Sequence, residues 1–418
     1  MSDAAVRADP IAAALAAGVE TPLYVYDLGE VRANVARLRA ALPAGAGLYY
    51  SLKANPHPAV LTALRVLDLA AEVCSPGELA AALAAGWPSG EILYTGPGKR
   101  DRDVAAALAA GVREFCVDSP AGLDQLDRLA REAGTRVRTL LRVNDERPAA
   151  GQGLAMTGVP SQFGADAAWV RAEPARFGDR PHVRVIGPHL YMGTNLAGVD
   201  DLLAQFARSV TTAATIERAL APYVAGIEVV DLGGGFGAPF ARAGDAVDLA
   251  GLRAPLTALL DSGIPGWRNG GPRVVFESGR YLVGTAGTLL TRVLDAKRSH
   301  GRDVVVLESG INHLGGMAGL RRLPPLNPAL VDPGDPDADV LASPAIVAGP
   351  LCTPLDSWSR GAPLPRVAPG DLLAVPNVGA YGLSASLIAF LGHPAPAEVV
   401  VDDGVAVHVS RLEIIRKD

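Results

Sequence analysis

Residues 48–86 read LYYSLKANPHPAVLTALRVLDLAAEVCSPGELAAALAAG and repeat one theme: a short apolar run ending in polar or glycine residues, then an Ala- and Leu-rich stretch. This punctuation is typical of alternating strands and helices. Eight units of this kind within about 240 residues are the count of a (β/α)₈ barrel. The eight apolar runs are Leu48–Lys53, Leu67–Cys74, Ile92–Thr95, Phe115–Asp118, Val137–Val143, Val183–Tyr191, Ile227–Leu232 and Val274–Glu277.

Helix candidates lie between these runs. GELAAALAAG at Gly77–Gly86 and AGLDQLDRLAREAG at Ala121–Gly134 both have helical spacing and both close with a glycine. An open, doubly wound parallel sheet would give the same alternation of strands and helices, and periodicity alone does not distinguish the two folds. The count of eight favours the barrel.

The hydrophobic pattern of the sequence changes after Ala286. Short alternating runs such as DVVVLESG and AEVVVDDGVAVHVSRLEII follow, with proline-rich connections between them, which predicts a mostly antiparallel β-domain. TPLYVY at Thr21–Tyr26 is a further β-like run that precedes the barrel. We therefore predict a barrel over residues 30–286 and a β-domain made of residues 1–29 and 287–418.

Composition excludes several classes of protein. The net charge is −6 and the sequence pI is about 5.7, so no basic field is available to attract nucleic acid. The cysteines Cys74, Cys116 and Cys352 lack metal-site or disulfide spacing, which favours a reducing cytoplasm and predicts no metal. No stretch reaches the length of a membrane span, and the N-terminus lacks a signal-peptide core.

In a barrel enzyme the reactive groups lie where the strands end. The first run ends in Lys53, which is either a desolvated nucleophile or a surface cation whose stem packs on apolar neighbours. The sixth run ends in HLYMGTN, which places His189, Tyr191 and Thr194 close together. A lone histidine there would more often be a satisfied core residue than a catalytic one.

The seventh run ends in a glycine triplet, and the eighth ends in a neighbouring acid and arginine. VDLGGGFG, residues 230–237, contains three successive glycines whose N–H groups can approach an anion; the plain alternative is a tight barrel turn. FESGR brings Glu277 and Arg280 together, and the alternative is an ordinary surface ion pair. A lysine, a glycine cradle and a Glu/Arg pair at strand ends are together what an aldehyde cofactor with a phosphate and a pyridine nitrogen requires.

Nine motifs strengthen this interpretation: YYSLKANP, AEVCSPGEL, GPGK, FCVDS, SQFG, GGGFG, ESGR, GPLCTPLD and GAYG. With these motifs in this order, the sequence resembles the fold-type III pyridoxal-phosphate-dependent decarboxylases, which include diaminopimelate, ornithine and arginine decarboxylases. The resemblance covers nearly the whole chain, from Thr21 to the segment that begins at Phe390. It implies a pyridoxal 5′-phosphate enzyme that decarboxylates an amino acid or an amino-acid derivative.

The resemblance also implies residue roles. Lys53 takes the Schiff-base position, and Glu277 faces the pyridine nitrogen and keeps it protonated. Cys352 corresponds to a catalytic residue that enters the site from the partner subunit and is linked to reprotonation, so a homodimer with shared active sites is expected. The full set implied to bind the cofactor is Lys53, Glu72, His189, Tyr191, Thr194, Gly234, Gly235, Glu277, Gly279, Arg280 and Tyr381.

Departures from the family pattern concern the substrate. Tyr191 stands where the family has a histidine that stacks on the cofactor ring, and an aromatic ring can still stack there. Thr353 follows Cys352 where the family has an acid that meets a distal substrate ammonium, and Asp356 is a candidate substitute. These features resemble a subgroup in bacterial secondary metabolism, whose substrate can be an acylated or carrier-protein-tethered amino acid. A carrier protein is therefore a candidate partner.

Other functions remain open at this point. A racemase or epimerase would use the same cofactor but would need a second base, for which Cys352 is the obvious candidate. A non-catalytic pyridoxal-phosphate-binding protein predicts a lone barrel, and the long β-like stretch after Thr288 argues against it. A cofactor-free sugar-phosphate barrel enzyme would explain the glycines but not Lys53, Glu277 and Tyr381 together.

Overall fold

The computed structural model describes residues 9–147, 157–315, 326–335, 340 and 343–416. The chain divides into two compact units, which we call the barrel unit and the sheet unit. The barrel unit is Asn34–Ala238 with Val247–Leu282, and the sheet unit is Met1–Ala33, Pro239–Ala246 and Val283–Asp418. The outer limits of the barrel unit lie close to the predicted boundaries at 30 and 286, whereas the excursion at Pro239–Ala246 has no counterpart in the sequence prediction.

Three elements come before the barrel strands: helix α1 (Pro10–Ala16), strand β1 (Leu23–Asp27) and helix α2 (Leu28–Ala41). Eight parallel strands then close on themselves, because each pairs with the next and the last pairs with the first. A two-residue strand, β7 (Ala165–Asp166), extends the sheet beside the fifth of them. The eight are β2 (Gly47–Ser51), β3 (Ala70–Val73), β4 (Ile92–Tyr94), β5 (Glu114–Val117), β6 (Val137–Asn144), β8 (Val183–Leu190), β9 (Val229–Asp231) and β10 (Arg273–Ser278). The predicted (β/α)₈ barrel is confirmed.

Three of the helices of the barrel unit begin with recognisable signals. The helices after β2, β3 and β5 each start at a proline, which lacks the N–H that a first helical residue cannot use. His57, Ser75 and Ser119 cap them by accepting a backbone N–H. The helices are α3 (Pro58–Val66), α4 (Pro76–Ala84), α5 (Asp101–Ala109), α6 (Pro120–Glu132), α7 (Ala167–Ala172), α8 (Val199–Leu220) and α9 (Arg253–Gly263), and the short α10 (Arg280–Val283) follows β10.

One glycine fixes the contact between two barrel strands. Gly187 of β8 has φ +155°, and a Cβ at this position would overlap the carbonyl of Val229 in β9. The pairing of β6 with β8 shifts register beside it, between Thr139 and Leu140. The strands therefore approach more closely here than a side chain would allow.

The described residues of the sheet unit form one mixed sheet of eight strands. Five of its seven strand pairings are antiparallel and two are parallel. Beside β1, its strands are β11 (Gly287–Ser299), β12 (Arg302–Leu307), β13 (Ala345–Ala348), β14 (Ser357–Ala362), β15 (Leu372–Val375), β16 (Ala397–Asp402) and β17 (Val405–Arg411). Apolar residues of β1, β11 and β16, among them Leu23, Leu290 and Val399, form its core. The predicted mostly antiparallel β-domain is confirmed.

Among the residues that the structure describes, no helix is both long and apolar enough to cross a membrane.

Candidate active site

Side chains that point into the barrel form two successive layers. The first layer is apolar. Because side chains alternate across a strand, the residue two positions after an inward-pointing residue also points inward. The next layer is polar and lies at the carboxyl ends of the strands, where the sequence predicted the chemistry. The apolar layer is Tyr49, Leu93, Cys116, Leu140, Ile186, Val229 and Val275, with Ala70 packed against it. The polar layer contains Glu72, Thr95, Arg142, Asp231 and Glu277, and His189 lies level with Arg142 in the β6–β8 pairing.

Lys53 lies beside a buried carboxylate. It follows β2 in a single 3₁₀ turn, and its Nζ is 3.7 Å from Oε2 of Glu72. Glu72 is buried, and its Oε1 accepts a hydrogen bond from the Thr95 hydroxyl, whereas its Oε2 has no hydrogen-bond partner among the described residues. The Lys53 side chain is 45% exposed. The amine is thus both accessible and held near an anion.

Four side chains from four strands meet at the centre of the barrel. His189 Nε2 lies 3.5 Å from Glu277 Oε1, and His189 Nδ1 lies 3.1 Å from Cys116 Sγ. Asp231 lies close by, since ligand-type atoms of His189, Asp231 and Glu277 are all within 4.8 Å of one another. All four residues are at most 3% exposed. We call these four residues the central cluster.

The charges of the central cluster depend on one another. Burial alone would raise the pKa of Glu277, but the neighbouring His189 lowers it below its ordinary value. Burial also disfavours a charged His189, yet the carboxylate of Glu277 holds the pKa of His189 well above its usual range. For Asp231, burial and then the Glu277 charge raise the pKa. The arrangement favours an ionised Glu277, a charged His189 and a neutral Asp231.

The loop after β9 carries the glycine triplet. Its three carbonyls accept hydrogen bonds within the barrel unit: Gly233 from the Glu277 N–H, Gly234 from the Gln205 side-chain amide and Gly235 from the Leu196 N–H. A Cβ at Gly234 would overlap the Glu277 carbonyl, and Gly235 has φ +99°. The Gly233 N–H is donated to Asp231 Oδ1, so the N–H groups of Gly234 and Gly235 are the donors that this triplet can offer to an anion.

The turn after β10 packs on the turn that carries Lys53. A Cβ at Gly279 would lie 2.7 Å from Ala54 Cβ and 3.0 Å from the Ser51 carbonyl, so glycine is needed for this contact. Arg280, the first residue of α10, is partly buried. The end of β10 therefore brings Glu277, Gly279 and Arg280 to the same end of the barrel as Lys53.

Tyr191 lies beside the glycine loop. A Cβ at Gly233 would be 3.1 Å from its ring atom Cδ2. The Arg142 guanidinium carbon is 4.5 Å from the ring centre of Phe163 and 5.9 Å from that of Tyr191, so it lies near both rings. Thr194 is partly buried in the segment that follows Tyr191.

Sequence reasoning did not single out Cys116, Arg142 or Asp231. Each has a weak signal, because a polar or ionisable residue stands within or at the end of an apolar run: FCVDS, LLRVN and VVDLG. Such a residue in a strand buried on both faces needs a partner, and here the partners come from other strands. The signal therefore identifies the residues but not what they contact.

Four of the predicted site residues lie in the sheet unit. Cys352 is exposed in the single chain, Thr353 is partly buried, and Tyr381 is partly buried with φ +57°. Asp356 is 3% exposed, and its two carboxylate oxygens accept the N–H groups of Ile311 and Leu351 at 2.8 and 2.7 Å. These contacts favour an anchoring role for Asp356 over the substrate-binding role predicted from the sequence.

We expect Asp356→Ala to destabilise the protein by about 2–5 kcal/mol, because two buried N–H groups lose their acceptor. Thermal or urea unfolding would measure this loss. Asp371→Ala is the matched control, since Asp371 accepts one exposed N–H, that of Ala368. Asp356→Ala with unchanged stability but altered substrate preference would instead support the substrate-binding role.

The residues of the barrel unit fit the cofactor that the resemblance implies. Lys53 supplies an accessible amine for an aldehyde, the glycine loop supplies donors for a phosphate, and Glu277 Oε1 is a buried acceptor without a hydrogen-bond partner among the described residues. A ring nitrogen that carries a proton would satisfy that oxygen. The central cluster also contains donor types that a divalent cation accepts, but a metal ion would use neither Lys53 nor the glycine loop.

Comparison with known families agrees with this fit. The family model "Pyridoxal-dependent decarboxylase, pyridoxal binding domain" matches residues 28–284. The chain is 32% identical over 402 residues to an L-glutamyl-[BtrI acyl-carrier protein] decarboxylase of Niallia circulans, covering 94% of this chain and 91% of that one. It is 31% identical over 413 residues to the diaminopimelate decarboxylase of Methanothermobacter thermautotrophicus, covering 95% and 89%.

Solved structures share the fold. Diaminopimelate decarboxylase from Helicobacter pylori, complexed with L-lysine, superposes with a TM-score of 0.80 at 24% identity and covers 95% of each chain. Lysine decarboxylase from Selenomonas ruminantium has a TM-score of 0.75 at 25% identity, covering 93% of this chain and 94% of that one.

Proposed function

The chain belongs to the family of pyridoxal-dependent decarboxylases, and we propose that its substrate is an amino acid attached through its side chain to a carrier protein. The resemblance seen in the motifs is confirmed: the protein is a carboxy-lyase that uses pyridoxal 5′-phosphate. When bound, this cofactor withdraws the electron pair that remains on the substrate when carbon dioxide leaves. The substrate and the residue roles below are proposals.

In the barrel unit, Lys53 holds the cofactor covalently and Glu277 faces its ring nitrogen. Gly234, Gly235, Gly279, Arg280 and Thr194 bind its phosphate through N–H groups, charge and a hydroxyl. Tyr191 stacks on the ring, and its position beside Gly233 supports this assignment. Glu72 lies against Lys53 and orients its amine. Tyr381, in the sheet unit, keeps the phosphate-binding role implied by the resemblance.

The choice of substrate rests on one observation: residue 353, which follows Cys352, is a threonine and not an acid. Family members that act on a substrate with a distal ammonium have an acid at this position, and a buried ammonium without a paired carboxylate costs several kcal/mol. The α-carboxylate must be free, since it leaves as carbon dioxide, and the α-amino group engages the cofactor. A tether can therefore be attached only at the distal end, where an acyl linkage is neutral and suits a threonine.

The Niallia circulans relative supports the tethered substrate. By its name it acts on an L-glutamyl group carried by an acyl-carrier protein. This relative also supports the predicted place in the secondary-metabolism subgroup. A carrier adds contacts outside the pocket, which can compensate for the missing ion pair at Thr353.

Carbon dioxide release from matched substrates tests the proposal. The panel pairs a glutamyl group on an acyl-carrier protein with free glutamate, free lysine and diaminopimelate, and the unacylated carrier is the blank. We expect release to be fastest from the carrier-bound substrate. Faster release from free lysine or diaminopimelate would refute the tethered substrate, and exchange of the α-hydrogen without carbon dioxide would indicate racemisation.

Introducing Thr353→Asp should shift preference toward basic amino acids. A carboxylate at this position can pair with a distal ammonium, so we expect kcat/KM for lysine relative to the carrier-bound substrate to rise roughly 10- to 100-fold. Thr353→Asn is the control, because asparagine has nearly the shape of aspartate but carries no charge. An equal rise in both variants would show that charge at residue 353 does not select the substrate.

Cys352 is exposed in the single chain, which supports its predicted role across a dimer interface. Mixing inactive Lys53→Ala with inactive Cys352→Ala subunits should restore activity at one of the two sites in each hybrid dimer. A mixture of Lys53→Ala and Glu277→Gln is the control, since both residues lie in the barrel unit and no intact site can form. If the first mixture stays inactive while hybrids form, the active sites are not shared.

All three cysteines are unpaired. This is the state expected in a reducing compartment, which supports our proposal that the protein is cytoplasmic.

A further inference from the structure

The central cluster contains two buried carboxyl groups, and their burial disfavours ionisation of both at once. Asp231 and Glu277 are both fully enclosed by the barrel, and their nearest cation within the cluster is His189. Two carboxylates this close and this deeply buried disfavour each other's charge, which favours the protonated form of one of them. The position of the single imidazole decides which carboxylate that is.

His189 is paired with Glu277 rather than with Asp231. The Nε2 atom of His189 lies 3.5 Å from Glu277 Oε1, whereas Oδ1 of Asp231 accepts the N–H of Gly233 at 2.8 Å and its Oδ2 has no hydrogen-bond partner among the described residues. A protonated Asp231 is neutral and can tolerate this burial. The positive charge of His189 therefore stabilises Glu277, the carboxylate that we place opposite the ring nitrogen of the cofactor.

Cys116 fixes the other side of the imidazole. Its Sγ lies 3.1 Å from His189 Nδ1, and both residues are 1% exposed. This contact at Nδ1 orients the imidazole so that its Nε2 points toward Glu277, 3.5 Å from Oε1. Lys53, Arg142 and Glu72 are other charged groups at this end of the barrel. After His189, the charges of Lys53 and Arg142 also lower the pKa of Glu277.

We propose that His189 is a positioning residue for the decarboxylation: paired with Glu277 and fixed by Cys116, it keeps the Glu277 carboxylate ionised and available to the protonated ring nitrogen of the cofactor. This inference rests on the placement of the cofactor in the proposed function. It assigns His189 an action through Glu277 instead of direct contact with the phosphate or the substrate.

A double-variant cycle tests the proposal with two readouts: the Kd for pyridoxal phosphate, from absorbance titration, and the turnover number. His189→Gln should weaken cofactor binding roughly tenfold and lower turnover on the order of 10²-fold. Glu277→Gln should have effects at least as large, and the double variant should lose little more than Glu277→Gln alone. Additive losses would overturn the proposal, because a histidine that served only packing would act independently of Glu277.

His182→Gln is the matched control. His182 lies just before β8, and its Nδ1 is 3.5 Å from Asp127 Oδ1, the same separation as in the central cluster but at the other end of the strand. We expect wild-type Kd and turnover for this variant. Equal losses in His182→Gln and His189→Gln would point to general destabilisation of β8 and would contradict the proposal.

Cys116 supplies a second route if His189→Gln fails to fold. Cys116→Ala should reduce turnover and cofactor affinity, and Cys116→Ser should retain more of both because a hydroxyl can still bond to Nδ1. Wild-type behaviour of Cys116→Ala would show that the imidazole needs no such support. If the wild-type protein binds no pyridoxal phosphate, the proposed function fails; if it binds the cofactor and His189→Gln matches wild type, only this inference fails.

Discussion

Lys53→Ala is expected to release the covalently held cofactor and to lower turnover by on the order of 10³-fold or more. The Lys53 turn is the point where an amine, the buried Glu72 carboxylate and the Gly279 turn come together. Alanine keeps the turn but removes the amine. Cofactor retained through dialysis and residual carbon dioxide release measure the two losses.

Two further lysine variants separate the covalent chemistry from charge. Lys53→Arg keeps a cation beside Glu72 but has no amine that can link to an aldehyde, so it should be as inactive as Lys53→Ala. Lys297→Ala removes an exposed lysine whose partner is Asp295 at 2.9 Å, and it should behave as wild type. Near-normal turnover of Lys53→Arg would show that Lys53 acts only as a charge.

Glu277→Gln is expected to bind pyridoxal phosphate more weakly but still to link it to Lys53 when the cofactor is in excess, and to lose turnover by on the order of 10²-fold or more under those conditions. Glutamine has the same size as glutamate and can still form a hydrogen bond, but it cannot supply a negative charge that favours a protonated ring nitrogen. The loss should therefore appear mainly in kcat. Steady-state kinetics, together with the amount of cofactor bound, separate loss of chemistry from loss of binding.

Glu398→Gln is the matched control for removal of a buried carboxylate. Glu398 lies in β16 of the sheet unit, is 6% exposed and accepts the Tyr26 hydroxyl at 3.1 Å. Burial raises the pKa of Glu398 to about 7, so glutamine resembles a form that it already adopts near neutral pH. Turnover of Glu398→Gln should stay near wild type. An unimpaired Glu277→Gln would show that Glu277 does not face the ring nitrogen.

The barrel could be predicted because its strands are mostly buried and because the helices after β2, β3 and β5 carry their own start signals. The runs ending at Lys53, Thr95 and Asp118 coincide with β2, β4 and β5 to within one or two residues. Local pattern is sufficient for such elements. The excursion at Pro239–Ala246 could not be predicted, because no local signal indicates that a short segment leaves the barrel unit to join the sheet unit.

Residues of the candidate site could be predicted only where they stand together in one motif at the end of one strand. Lys53, the glycine triplet and the Glu277–Arg280 turn each stand within a single motif, so sequence reasoning found them. The central cluster joins Cys116, His189, Asp231 and Glu277 from four strands, and their pairing depends on strand register and on which face each side chain takes. Neither is readable from one sequence.

The most direct test of the account is to reduce the cofactor-loaded protein with borohydride and to map the labelled peptide. Reduction makes the link between the cofactor and its lysine permanent, and the chain has only four lysines, Lys53, Lys99, Lys297 and Lys417. The account predicts a pyridoxyl label on Lys53 alone. A label on any of the other three lysines, with Lys53 unmodified, would contradict it.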